Sequence, residues 1–197
     1  MVAEGGIGRV QLLEECPGRE SAMVLEITGP PILVVMGVAG TGKSTVAGML
    51  AERLHWELQE GDDLHPPANV AKMAAGIPLD DQDRWPWLDA IAAWIASKRE
   101  RGEPGLVTCS ALKRSYRDRL RGSNVIFVFI NGPREVIEAR IASRKDHYMP
   151  PSLLDSQLAT LEPPTSDENV LEVNLSAEPQ EEVAGVLRSL EGRIGSS

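Results

Sequence analysis

Residues 32–44 read Ile-Leu-Val-Val-Met-Gly-Val-Ala-Gly-Thr-Gly-Lys-Ser, five apolar positions running straight into a glycine-rich octet that ends in Lys43 and Ser44. The octet Gly37–Ser44 fits GxxxxGK[ST] and stands where that pattern has a physical task, at the end of a strand and the start of a helix. Gly37, Gly40 and Gly42 let successive backbone N–H groups curl around a phosphate with no Cβ in the way, and the helix N-terminus adds partial positive charge. Lys43 then bridges the outer phosphates and the Ser44 hydroxyl binds Mg²⁺. A bare strand-to-helix turn needs neither the lysine nor the hydroxyl at fixed positions, so the octet predicts binding of a nucleoside triphosphate. The loop alone leaves a kinase, a regulatory GTPase and a motor ATPase open.

Outward from this loop the chain alternates. Apolar runs at Ile32–Met36, Leu106–Cys109, Val125–Ile130 and Val170–Val173 are strand-like, with a weaker strand at Trp56–Glu60. Helix-period segments separate them at Lys43–Leu54, Pro67–Ala75, Trp87–Arg99, Ser115–Arg121, Arg134–Ser143, Ser152–Leu161 and Pro179–Leu190. Short continuous strands alternating with helices predict an α/β fold with a parallel sheet covered on both faces. Ligands then belong at the carboxyl edge of the sheet. Residues 1–31, closing in Gly29-Pro30-Pro31, are read as a loosely ordered extension, and 32–197 as one domain.

The totals narrow the partners. Among 197 residues, 29 are Asp or Glu and 20 Lys or Arg, a net charge of −9 that disfavours nucleic acid and anionic membranes. No apolar run approaches the roughly 20 residues that span a bilayer. Cys16 and Cys109 lie far apart, and no charged-then-apolar leader opens the chain, so a cytoplasmic setting is expected. Neither an Asn-Lys-x-Asp guanine reader nor an Asp-x-x-Gly switch turn occurs, which weakens the GTPase reading. His55, His65 and His147 are isolated, with no zinc spacing.

The remaining polar residues point to a small substrate. Asp62 follows the weak strand at the edge that carries the phosphate loop, where an acid can accept and orient a hydroxyl; a solvated turn acid is the alternative. Arg84 offers a planar fork suited to a carboxylate, or a surface salt bridge with Asp81 or Asp83. Trp85, Trp87 and Trp94 are read as core, and Cys109 as a small buried apolar residue. Lys113 and Arg117 reach either substrate or solvent. Arg140, Arg144, Lys145 and His147 lie on a helix end and the break after it, and cations on a flap there, about 144–151, would neutralise phosphate and exclude water.

Taken together, GVAGTGKST, GDDLHPPANVAKMAAGIPLDDQDRWPWL, CSALKRSYRDRLR, SRKDHYM and SQLATLE resemble the bacterial gluconokinase family, over about Ile32 to Val173. The resemblance implies a five-stranded parallel sheet related to that of shikimate kinases, with a lid. It also implies transfer of the γ-phosphate of ATP, with Mg²⁺, to the 6-hydroxyl of D-gluconate. Residue by residue it implies nucleotide phosphates at Gly40 to Thr45 (Thr41 included), the substrate hydroxyl at Asp62, substrate contacts at His65 and Arg84, lid arginines at Arg140 and Arg144, and Gln157 as a further substrate contact. It is compatible with a homodimer, whose interface no stretch of the sequence identifies. Where related kinases often carry Asp-x-Asp, this chain has Glu60, whose longer side chain leaves its part in the metal shell open. A shikimate-type kinase for another acid and a non-catalytic nucleotide switch are the alternatives.

Overall fold

The computed structural model describes residues 29–143, 151–175 and 178–194. The expected extension, apart from residues 29–31, and the expected flap with Arg144, Lys145 and His147 lie outside these residues. Among the described residues no helix is long and apolar enough to cross a membrane.

Five strands, β1 (Ile32–Met36), β2 (Glu57–Gln59), β3 (Gly105–Thr108), β4 (Val125–Asn131) and β5 (Val170–Asn174), form one sheet in the order β2-β3-β1-β4-β5. Every neighbouring pair is parallel. β1 is central because all five of its side chains are apolar and both faces can be covered; each of the five is buried. Its two-residue period divides the core. Leu33 and Val35 pack with Val46, Ala47 and Leu50 of α1 (Lys43–Leu54) and with Val183, Val186 and Leu190 of α7 (Pro179–Ile194). Ile32, Val34 and Met36 face the other way, onto Trp87, Leu88, Ile91 and Ile95 of α3 (Asp81–Arg101) and Tyr116 and Leu120 of α4 (Arg114–Leu120). The two remaining crossovers are α5 (Arg134–Ser143) and α6 (Pro151–Thr160), and α2 (Pro67–Ala74) lies in the excursion between β2 and α3.

This topology makes the site. The loop after β1 leaves toward the face carrying α1, whereas the loop after the adjacent β3 leaves toward the face carrying α4. Two neighbouring strands that send their chains to opposite faces open a crevice at their carboxyl ends.

α3 departs from the sequence reading. Expected from Trp87, it begins six residues earlier at Asp81, with Pro86 inside it. A reciprocal cap explains the early start: Asp83 N–H donates to the Asp80 carboxylate at 2.9 Å, and Asp80 N–H donates to the Asp83 carboxylate at 3.0 Å. Arg84 therefore lies within the helix and not in a turn ahead of it.

Candidate functional site

The first wall is backbone. Gly42 occupies the N-cap of α1 at φ +91°, and no side chain caps that helix or places an acid in its first turn. The first N–H groups of a helix lack intrahelical partners and suit an anion. The Thr41 side chain is fully buried and its hydroxyl donates to Val38 O at 2.9 Å, so it shapes the loop from inside. Lys43 Nζ donates to Val38 O at 3.1 Å. Ser44 and Thr45 are exposed at the opening of α1. Gln157 of α6 accepts a hydrogen bond from the backbone N–H of Ala39 at 2.7 Å through its Oε1.

The second wall comes from the ends of β2 and β3. Ser44 Oγ donates to Glu60 Oε2 at 3.1 Å, and Thr108 Oγ1 donates to the same oxygen at 2.6 Å. The longer acid thus reaches the hydroxyl of the phosphate loop. Thr108 Oγ1 also accepts from Gly61 N–H at 3.0 Å, and a Cβ at Gly61 would come within 1.9 Å of Thr108 O. Only glycine permits that approach. Among the described residues no three His, Cys, Asp or Glu side chains gather into a metal cage. A cation here would rest on a hydroxyl, one carboxylate and ligand oxygens, a donor set that suits Mg²⁺.

The acceptor side begins at the single 3₁₀ turn Gly61–Leu64, on which Asp62 is exposed. Trp87 Nε1 donates to Gly61 O at 2.7 Å from below, so this buried indole also anchors the turn. His65 stacks on Trp87 with ring centroids 4.2 Å apart, and its Nδ1 lies 3.3 Å from Asn69 Nδ2. Burial pushes the imidazole below its ordinary pKa; Asp62 opposes that shift and Arg84 adds to it. Arg84 makes no salt bridge with Asp81 or Asp83. Its Nε donates to Leu79 O at 3.3 Å and its guanidinium carbon stands 5.8 Å from the Tyr116 ring centroid. Cys109 is buried as expected, its thiol pushed up to about 12 by desolvation. Lys43 opens α1, Asp62 lies on the turn after β2, and Arg84 stands near the start of α3, the helix whose Trp87 bonds to that turn.

The third wall is a pocket of about 200 Å³ between α5 and α7, lined by Gly40, Gly42, Thr45, Arg140, Pro179 and Glu182 among others. Arg140 belongs to the body and not to a flap. It donates to Thr41 O at 3.3 Å and to Leu175 O at 3.2 Å, and it pairs with Glu182 at 3.2 Å. Glu182 is wholly buried, and desolvation holds its carboxyl above the usual range, with Arg140 pulling the other way.

A family model described as an AAA domain matches residues 32–164. The gluconokinase of Gluconobacter oxydans is 53% identical over 152 residues, which cover 76% of this chain and 85% of that one. The chain belongs to the gluconokinase family. The crystal structure of a gluconokinase from Sinorhizobium meliloti agrees with a TM-score of 0.76 at 46% identity, covering 85% of this chain and 98% of the other. The shikimate kinase of Aquifex aeolicus superposes with a TM-score of 0.55 at 18% identity over 84% and 99% of the two chains, a likeness of fold.

Within this gluconokinase-family chain, three parts of the crevice escaped the sequence reading. Thr108 looks like any strand residue, and only its place at the carboxyl edge distinguishes it. The hydrogen bond from Trp87 to Gly61 joins residues 26 apart. Arg117 was left between substrate and solvent, yet it is buried against Glu168, also accepted by Ala111 O, Leu112 O and Glu162 O at 2.9–3.2 Å. It holds the loop after β3 rigid from behind.

Proposed function

We propose that this chain is an ATP- and Mg²⁺-dependent gluconokinase, transferring the γ-phosphoryl group of ATP to the 6-hydroxyl of D-gluconate. The observation that carries the reading is the Ser44–Glu60 hydrogen bond, which joins the phosphate loop to the end of β2 two residues before Asp62. The backbone N–H groups of Gly40 to Thr45 receive the phosphates, with Gly37 allowing the loop to turn, and Lys43 lies against the outer ones. Arg140 and Pro179 flank the nucleoside in the pocket beside Thr45. Ser44 and Glu60 would hold Mg²⁺, which would offset the negative charge that develops during transfer.

Asp62 accepts a hydrogen bond from the 6-hydroxyl and turns its oxygen toward the γ-phosphorus. In a loose transition state the phosphoryl group is largely detached before the new bond forms, so orientation matters more than early proton removal. The proton passes to Asp62 as the ester oxygen loses its basicity. Arg84 fixes the carboxylate at the opposite end of the substrate, and His65, neutral against Trp87, shapes the floor between them. Residues 32–197 act in this reading as one kinase domain, with 144–151 as the lid and Arg144 bringing a further positive charge. Gln157 braces the phosphate loop through Ala39.

A coupled assay with purified protein, ATP, Mg²⁺ and gluconate tests the reading. Turnover is expected, with a loss of about 10³-fold in Lys43→Ala. Turnover no higher than that of Lys43→Ala, or a clear preference for shikimate, would overturn it.

A further inference from the structure

Lys113 is the residue just before α4, on extended backbone at the carboxyl edge of the sheet, and its own side chain does not cap the helix. Its Nζ lies 2.7 and 2.8 Å from the two oxygens of Asp81, the first residue of α3. Asp81 also accepts the hydroxyl hydrogen of Tyr116, whose ring is fully buried. Lys113 Nζ is 5.5 Å and the Arg84 guanidinium carbon 5.8 Å from the centroid of that same ring. Two cations thus gather around one aromatic side chain, in reach of its electron-rich face.

From these contacts we infer that Lys113 is the second cation of the carboxylate subsite, closing with Arg84 on the acidic end of the substrate while Asp81 and Tyr116 hold it in position. The inference rests on the proposed sugar-acid reading and deepens it.

Three features support this assignment over an ordinary surface salt bridge. The ammonium has three N–H donors; Asp81 takes two and the third remains for a ligand. Asp81 serves Lys113 and Tyr116 together, and Arg84 makes no salt bridge with a carboxylate among the described residues, so its guanidinium is left for an acidic ligand. Finally, Lys113 is 29% exposed, open enough to meet a ligand, yet tied to a buried tyrosine by the carboxylate they share. A free surface pair would leave its lysine mobile and contribute little.

The test compares D-gluconate with glucitol, the same carbon chain carrying a hydroxymethyl group in place of the carboxylate. For the unaltered enzyme, kcat/KM is expected to favour gluconate strongly. In Lys113→Met, KM for gluconate should rise about 100-fold, with KM for ATP and the slow rate on glucitol unchanged, so the discrimination ratio falls by the same factor. Lys113→Arg should restore most of it. Tyr116→Phe keeps the ring and removes the tether; a rise of about fivefold in gluconate KM is expected there. An unaltered gluconate-to-glucitol ratio in folded Lys113→Met, or an unaltered gluconate KM in Tyr116→Phe, would overturn the assignment. Failure of the unaltered enzyme to use gluconate would instead sink the function on which it rests.

Discussion

The two halves of the crevice are built by opposite means. In the proposed reading the nucleotide half is contiguous backbone: six residues between β1 and α1 supply the turn, and their own sequence dictates the shape. The acceptor half, in the same proposed reading, is an assembly of side chains. Asp62 comes from the turn after β2, Arg84 from α3, and Lys113 and Tyr116 from the segment after β3, and only the parallel sheet brings them to one edge. A backbone cradle can serve many enzymes because every phosphate offers the same oxygens. Side chains drawn from separate segments can be varied one at a time, which suits the half that must tell one acceptor from another.

The sharpest way to separate the halves is Asp62→Asn. Asparagine keeps the size and the turn but loses the charge that orients the hydroxyl and takes its proton. A fall in kcat of about 10²–10³-fold is expected, with ATP affinity unchanged by equilibrium titration. If ATP affinity fell in parallel with kcat, the division between the halves would be wrong.

Glu60 sits on the seam, and its variant should disturb both sides. Glu60→Gln removes the charge facing Ser44 while leaving an oxygen for the Thr108 hydroxyl. The Mg²⁺ concentration giving half-maximal rate should rise about tenfold, with partial recovery at saturating metal. An unaltered Mg²⁺ titration would remove Glu60 from the metal's surroundings.

The same contrast explains what could be read in the chain. The phosphate loop, β1, α1 and the α/β alternation depend on near neighbours, so spacing and periodicity revealed them with boundaries correct at Ile32–Met36 and Lys43–Leu54. The start of α3 differs from the expected Trp87 because the Asp80–Asp83 cap opens the helix at Asp81 and Pro86 is accommodated in its early turns. Asp62 and Arg84 drew attention as charges at a strand end and beside tryptophans, but the partners that fix their surroundings are distant. Nothing near Arg117 in sequence announces Glu168, and nothing near Gln157 announces Ala39. Such pairs become visible only when the sheet has set strand order.

Arg117 and Glu168 show that the acceptor half also needs support from behind. Both side chains are 1% exposed, and Glu168→Gln would leave the guanidinium charge without its counterion. A loss of about 3 kcal/mol in urea unfolding at neutral pH is expected. The Arg117 ion pair, with help from Thr165 N–H, outweighs burial and holds the Glu168 carboxyl below its ordinary value. The unfolded chain therefore binds more protons as the medium turns acid, and this stabilisation, complete above about pH 4.5, fades as pH falls through the folded value. Glu168→Gln should lack that part of the acid destabilisation; an identical slope in both proteins would refute the assignment.

The smallest effect belongs to His65, the floor between the two ends of the acceptor. Its imidazole is half-buried and stacked on Trp87, and desolvation lowers its pKa, with Arg84 reinforcing and Asp62 resisting the shift. The sign follows from proton counting. Below the ordinary histidine value near 6.5 the unfolded chain takes up a proton that the folded one refuses, so stability is full above that pH and declines as pH drops toward the folded value. His65→Gln, which can keep a hydrogen bond to Asn69 but cannot titrate, should flatten the fall in stability below about pH 6.5. Because substrate would cover the same ring, gluconate should steepen this pH dependence in the unaltered protein and not in His65→Gln. ATP alone, bound in the other half, should leave it as it was, and a matching response to ATP would mean that the halves are coupled through the turn at Gly61.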